Sequence, residues 1–254
     1  SRCNQSTFFF FLDMKKQYFA GLATMLLLVG MVGSANAIPV SFFGEDLGGG
    51  RVNADAAHEG FMSNLTGVGT EDFENFIDGD SGPIDLDFGA AGTATLSGSG
   101  AIEGNPSHGR WATSGEHYWE TNSNFNILFS TAISAFGFYG TDIGDFGGAV
   151  ILNYTNGNTT TVNIGNTVGA ADGSFLYFGF YETDKNLAFT SISFRNTNGD
   201  DWFGFDDMTI GTFEQLTTNE TVPVPTPEPS TILLIGAGLF GLAGYSRKRF
   251  NQKS

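Results

Sequence analysis

Carboxylates are the side chains of this sequence best placed to do chemistry. Asp206-Asp207 follows the acidic pair Asp200-Asp201, and Asp142 and Asp145 stand three apart in a glycine-rich stretch. Between Ile38 and Thr226 there are 25 acidic side chains against only Arg51, Arg110, Lys185 and Arg195, a formal charge of -21. Calcium takes about six to eight oxygen ligands, mostly carboxylates and carbonyls, so Asp206, Asp207, Asp142 and Asp145 are candidate ligands for a structural ion. Strict alternation along a strand puts Asp206 on the face of Met208 and Ile210, where an unpaired carboxylate is costly. Either a cation or backbone N–H groups at a corner of the fold must satisfy it. The second chemistry is aromatic. Trp111, Tyr118, Trp119 and Trp202 offer flat faces on which sugar rings can stack. Trp111, beside Gly109-Arg110, and Tyr118 are the candidates for stacking, whereas Trp119 reads as core.

Other chemistries fail on spacing. Asp78-Gly-Asp-Ser-Gly-Pro begins like a calcium-binding loop, but Gly82, Pro83 and Gly89 occupy positions that need an oxygen ligand, the turn glycine and the closing Glu. The three histidines, His58, His108 and His117, lack metal-ligand spacing. Neither a Gly-x-Ser-x-Gly elbow nor a phosphate-binding glycine loop is present. The sequence therefore yields no catalytic residue, and a non-enzymatic protein is expected. The acidity disfavours nucleic acid and anionic lipid heads and suits divalent cations or neutral polymers. Cys3 is the only cysteine, which removes disulfide and thiolate chemistry from everything downstream.

The elements that must position these residues are strands. Abundant Gly, Phe, Thr, Ser and Asn with little Lys or Glu favour strands and tight turns. Strands are expected over 93–97, 117–121, 125–129, 133–139, 149–154, 159–164, 174–180, 187–194 and 203–210, with a hairpin at 149–164 turning on Asn156-Gly157. Phe136 and Phe138 alternate with small residues, as do Ile192 and Phe194, which marks core faces. The fold class expected is all-β: an antiparallel two-sheet β-sandwich, jelly-roll-like, over residues 71–215. Residues 38–70 have little periodicity and are read as a lead or an edge strand.

The two ends have a different character. Met14, Lys15 and Lys16 precede an apolar run and then Gly-Ser-Ala-Asn-Ala, the pattern of a signal peptide over 14–37 cleaved by signal peptidase, which reads Ala35 and Ala37. Residues 1–13 are read as an upstream extension. At the other end, residues 216–230 form a Thr- and Pro-rich linker, stiffened by Pro223, Pro225, Pro227 and Pro229. An uncharged run at 231–245 follows, about 22 Å long as a helix and short for a hydrocarbon core of about 30 Å. The hydrophobic helix is expected over 231–246. A basic tail (247–254) carries Arg247, Lys248 and Arg249 and should stay cytoplasmic.

Pro227-Glu228-Pro229-Ser230, the glycine-rich apolar run and Arg-Lys-Arg together resemble the PEP-CTERM sorting signal of Gram-negative bacteria. The resemblance implies processing by exosortase near Pro227, Glu228, Pro229 and Ser230, transient residence in the inner membrane through the C-terminal helix, and delivery to the cell surface or an extracellular matrix. The segments 135–148 and 186–211 resemble extracellular domains joined to such tails. More distantly, Phe73-Glu74 and Phe205-Asp-Asp-Met resemble jelly-roll carbohydrate-binding modules, which implies Glu74 as the early calcium ligand matching Asp206. The expected protein is an exported, exosortase-sorted, non-enzymatic surface or matrix protein acting in adhesion or in an exopolysaccharide biofilm. Its alternatives are a carbohydrate-binding module with defined sugar specificity and a hydrolase acting on polysaccharide.

Overall fold

The computed structural model describes residues 39–143, 148–169, 171–196 and 201–217. Asp145, Asp200, the expected signal peptide with Ala35 and Ala37, the motif Pro227–Ser230, the apolar run and the basic tail lie outside the described residues. Thirteen strands form two antiparallel sheets. The seven-stranded sheet runs β1 (Val40–Asp46), β11 (Phe175–Tyr181), β8 (Ala135–Thr141), β13 (Phe203–Gly211), β6 (Tyr118–Thr121) and β5 (Ala101–Glu103), with β2 (Gly69–Glu71) also paired to β13. The six-stranded sheet runs β10 (Thr159–Asn163), β9 (Ala149–Tyr154), β12 (Phe189–Arg195), β7 (Phe125–Ile133), β4 (Thr93–Gly98) and β3 (Ile84–Asp87). The fold is thus an antiparallel β-sandwich, and all nine sequence-expected strands are present. The stretch read as one strand over 133–139 is divided at Ser134, where β7 ends and β8 begins. At the β9–β10 hairpin, Gly157 takes φ +83° and its N–H bonds to the Tyr154 carbonyl, a conformation that costs glycine little.

The two sheets are joined by aromatic side chains. Phe125 and Phe194 from the six-stranded sheet stack at 4.2 Å, and Phe138 and Phe205 from the other sheet pack edge-on against this pair at 4.9–5.3 Å and tilted against each other at 5.5 Å. Such arrangements add about 0.5–1.5 kcal/mol per pair beyond burial. Trp119 is fully buried in the same core.

Residues 39–70 carry an edge strand and a helix. Strand β1 pairs with β11, and α1 (Val52–Met62) lies across the outer face of the seven-stranded sheet. The Asp46 carboxylate accepts the N–H groups of Asn53 and Ala54, both at 2.9 Å, which satisfies two of the free donors at the helix start and complements its positive end. The small residues that alternate with phenylalanine form the helix seat. A side chain at Gly137 would strike Tyr177 and Phe61, and one at Gly179 would strike Phe61. At Gly44 a Cβ would run into the backbone carbonyl of Asn53. Gly44→Ala should therefore lift the first turn of the helix and cost about 1–3 kcal/mol, as overpacking does, measured by urea unfolding. Gly50→Ala, where the added Cβ would make only ordinary contacts, should change stability little.

Candidate functional site

Most of the acids expected to hold an ion instead hold one loop. Strand β13 contains a bulge between Asp206 and Thr209, with Asp207 at φ +46°. The extra residue reverses the alternation: Phe203, Phe205, Met208 and Ile210 all join the core between the sheets. Asp206 is therefore turned to the opposite face, opposite Tyr139, and its expected place beside Met208 and Ile210 is corrected. It is fully buried there. Its Oδ2 accepts the N–H groups of Thr113 (2.6 Å) and Ser114 (3.2 Å) and faces the Thr113 hydroxyl at 3.1 Å, while its Oδ1 accepts the Asp207 N–H at 2.7 Å. Asp207 accepts the hydroxyls of Thr113 (2.7 Å) and Ser114 (2.8 Å). Glu74 Oε1 accepts the N–H groups of Glu116 and His117, both at 2.7 Å.

Three acids from two places distant in sequence, Glu74 and the pair Asp206-Asp207, thus clamp residues 113–117 against the sheet. Arg51 adds a third hold by donating to the Thr113 carbonyl at 2.9 Å. Donors surround Asp206 where a cation would need lone pairs, and these residues do not fit a calcium site. Among the described residues, no three His, Cys, Asp or Glu side chains gather as one. The backbone-bonded alternative for Asp206 is the one the structure adopts. Asp142 is spent separately. It accepts the Gly173 N–H at 2.8 Å and faces Arg110 at 3.4 Å, and Arg110 pairs with Glu120 at 2.5 Å. All three members of this ion cluster are buried. It had no signal in the sequence beyond a rare arginine, because its members lie on one strand and two loops.

The aromatic candidates divide. Tyr118 is 1% exposed, with its hydroxyl directed at the Asn105 carbonyl and Glu120, so it is removed as a stacking residue. Trp111 is half-buried, its ring parallel to Phe175 at 6.2 Å. The Arg51 guanidinium lies 4.4 Å over the Phe175 ring. His58 sits between Tyr139 and Tyr177, with ring centroids at 5.2 and 4.9 Å, and burial lowers its pKa against the nearby carboxylates. This side of the sheet is largely filled by its own helix and loop.

Among the described residues the other outer face is open, and residue-by-residue reading missed it because serine, threonine and asparagine carry no motif. Register across the six-stranded sheet lines up Asp85, Thr95, Leu128, Ser191, Asn153 and Thr159 in one row. A second row is Ser97, Asn126, Ser193, Ile151 and Thr161. These side chains are exposed or half-buried, and Leu128 is 59% exposed. The rows offer hydroxyl and amide groups with two apolar side chains and, except for Asp85 at the edge, no charge. The signal that could have found them is the alternation itself: once the apolar positions of β4, β7, β9 and β12 are assigned inward, the remaining positions form this face.

The buried carboxylates set a pH dependence. Burial and the neighbouring Asp207 charge push the Asp206 carboxyl up to about 8, against the backbone donors that favour its charged form. Burial likewise raises Glu71, Asp142 and Glu182. A raised folded pKa means that the native state holds the extra proton between the unfolded value, about 4, and the folded one, so this contribution to stability is full below about pH 4 and declines as pH rises toward 8. The melting temperature should fall between pH 5 and pH 8. Asp206→Asn should make that fall shallower, and an unchanged slope would show that Asp206 does not titrate there.

The sequence matches no curated protein. Among solved structures, the chain is similar to the K2 cleaved adhesin domain of Lys-gingipain, with 14% identity over 57% of this chain and 98% of that one and a TM-score of 0.38. It is also similar to the CBM22-1 xylan-binding domain of Paenibacillus barcinonensis Xyn10C (13% identity, 54% and 96% covered, TM-score 0.32). A third is the C-terminal family 22 carbohydrate-binding module of Clostridium thermocellum Xyn10B (12% identity, 58% and 94% covered, TM-score 0.36). Residues 225–249 match the PEP-CTERM protein-sorting motif, which marks this chain as an exported protein of the Gram-negative cell envelope or surface and implies processing by exosortase.

Proposed function

We propose that this is a non-enzymatic surface or matrix protein that contacts a neutral polysaccharide through the open face of its six-stranded sheet. The observation that carries this reading is the composition of that face. In a domain of strong negative charge, the rows from Thr95 to Thr159 and from Ser97 to Thr161 present hydroxyls and amides instead of carboxylates. Hydroxyl and amide groups exchange hydrogen bonds with sugar hydroxyls at little desolvation cost compared with charges. Leu128 and Ile151 supply the apolar contact that the carbon face of a sugar ring needs. An anionic polymer would be repelled by the rest of the domain.

Binding measured over a panel of neutral and anionic polysaccharides should be confined to neutral members. Leu128→Asp or Ser193→Asp should weaken it by about tenfold or more, equivalent to about 1.4 kcal/mol, while Trp111→Ala on the opposite sheet leaves it unchanged. Loss with Trp111→Ala and retention with both face variants would move the site to the helix-covered side. The sorting motif gives a second expectation. In cells with an active exosortase, mass spectrometry of the surface-delivered protein should find no peptide containing Arg247–Arg249. Recovery of that basic tail on surface protein would contradict processing at the motif.

A further inference from the structure

The free edge of the six-stranded sheet is built differently from the other edges. Strand β10 reads Thr-Thr-Thr-Val-Asn, without charge, proline or bulge, and pairs in unbroken register with β9. No charged residue occurs from Gly148 to Gly169. The bonds from Tyr154 N–H to Asn158 and from Ile164 N–H to Gly148 fix the phase of this pair. Thr160 and Val162 bond inward to β9, and Thr159, Thr161 and Asn163 turn their N–H and C=O groups outward. All three are exposed.

Edge strands are ordinarily protected by charge or by cover, and the other edges of this sandwich follow that rule. Strand β1 carries Glu45 and Asp46, and β3 carries Asp85 and Asp87. Strand β5 carries Glu103 and is covered by the bridge from Ser81 to Ala101. Among the described residues, only the β10 edge of these four lacks both devices.

We propose that β10 is a self-association edge, pairing antiparallel with β10 of a second copy of this chain. The occupant follows from charge and symmetry. Two copies of a strongly acidic domain repel each other wherever carboxylates meet, and an approach along β10 brings two uncharged hairpins together. A two-fold axis at Thr161 sets Thr161 opposite its counterpart and Thr159 opposite Asn163, which uses every outward backbone group of both strands. The half-buried Val162 at the rim of the core faces Thr160 of the other copy. The six-stranded sheets join into one, and the rows of hydroxyl and amide side chains continue across the junction. A five-residue strand buries less than the roughly 1,200–2,000 Å² of a stable complex. Pairing is therefore weak in solution and strengthened when copies are held on one surface, where effective concentration is high.

The test uses the full chain in mild detergent, without polysaccharide, so its outcome is independent of the glycan reading. Cys3 is the only native cysteine, and all variants are made with Cys3→Ser. On the two-fold axis, Thr161→Cys should form a disulfide-linked dimer under mild oxidation. Mixed Thr159→Cys and Asn163→Cys chains should link to each other in preference to themselves. Thr95→Cys, on the same face but inside the sheet, should stay monomeric. Thr161→Lys should abolish concentration-dependent dimer formation in sedimentation velocity while leaving the melting temperature unchanged, since that side chain is exposed. Equal cross-linking at Thr161 and Thr95, or dimerisation that survives Thr161→Lys, would overturn the proposal.

Discussion

The placement of Asp206 is the constraint on which the rest of the seven-stranded sheet depends. A carboxylate in the middle of an apolar strand has to leave the core or neutralise itself. The bulge at Asp207 achieves the first, and the donors of Thr113, Ser114 and Asp207 supply the hydrogen bonds that burial then requires. One extra residue lets Phe203, Phe205, Met208 and Ile210 all face inward, which uninterrupted alternation forbids. The same bonds fasten residues 113–114 over the outer face, where Arg51 reaches the Thr113 carbonyl from the start of the helix. Core, loop and helix are thus tied through a single side chain. Acidity in this domain has a structural use: Asp46 caps the helix, Glu74 holds 116–117, and Glu71 accepts the N–H groups of Phe73 and Asp87.

Strands with continuous apolar alternation were legible in the sequence, and so was the hairpin, whose turn chemistry is local. Three things were not. The helix over Val52–Met62 is rich in alanine, with a narrow apolar stripe, and its docking depends on glycines far along the chain at Gly137 and Gly179. The short strands β2, β3 and β5 span three or four residues each, too few for a period to show. The bulge carries no sequence mark, since Asp207 tolerates a left-handed backbone only modestly better than other residues. That missing signal misplaced Asp206 and, with it, the expected calcium ligands. Tyr118 failed as a sugar contact for a related reason. Its strand has both faces covered, so alternation gives no exposed position.

The two outer faces are therefore unequal. On the seven-stranded sheet, helix and loop leave Trp111 half-buried against Phe175 and Tyr118 enclosed. On the six-stranded sheet nothing among the described residues covers the rows of threonine, serine and asparagine. A sheet face that stays wet must be polar, and ordinarily lysine and glutamate serve that purpose as well as uncharged groups. Here charge is confined to the margins, with Asp85 and Asp87 on β3 and Arg195 at the end of β12. Solubility is already secured by the acids elsewhere, so solubility alone does not call for an uncharged interior to this face.

The same distribution of charge bears on how the protein can be dense on a surface without collapsing into aggregate. A chain with 25 acids and 4 bases between Ile38 and Thr226 repels its own copies over most orientations, and screening shortens but does not remove that repulsion at contact distances, where the Debye length of about 8 Å at physiological salt is comparable to the gap. Acids on β1, β3 and β5 make pairing through those edges costly. An uncharged β10 leaves one permitted direction of contact. Because a two-fold pairing of β10 consumes the edge of both partners, it closes at two copies and cannot propagate into a fibre, which separates directed pairing from the open-ended stacking that an unprotected edge strand otherwise invites.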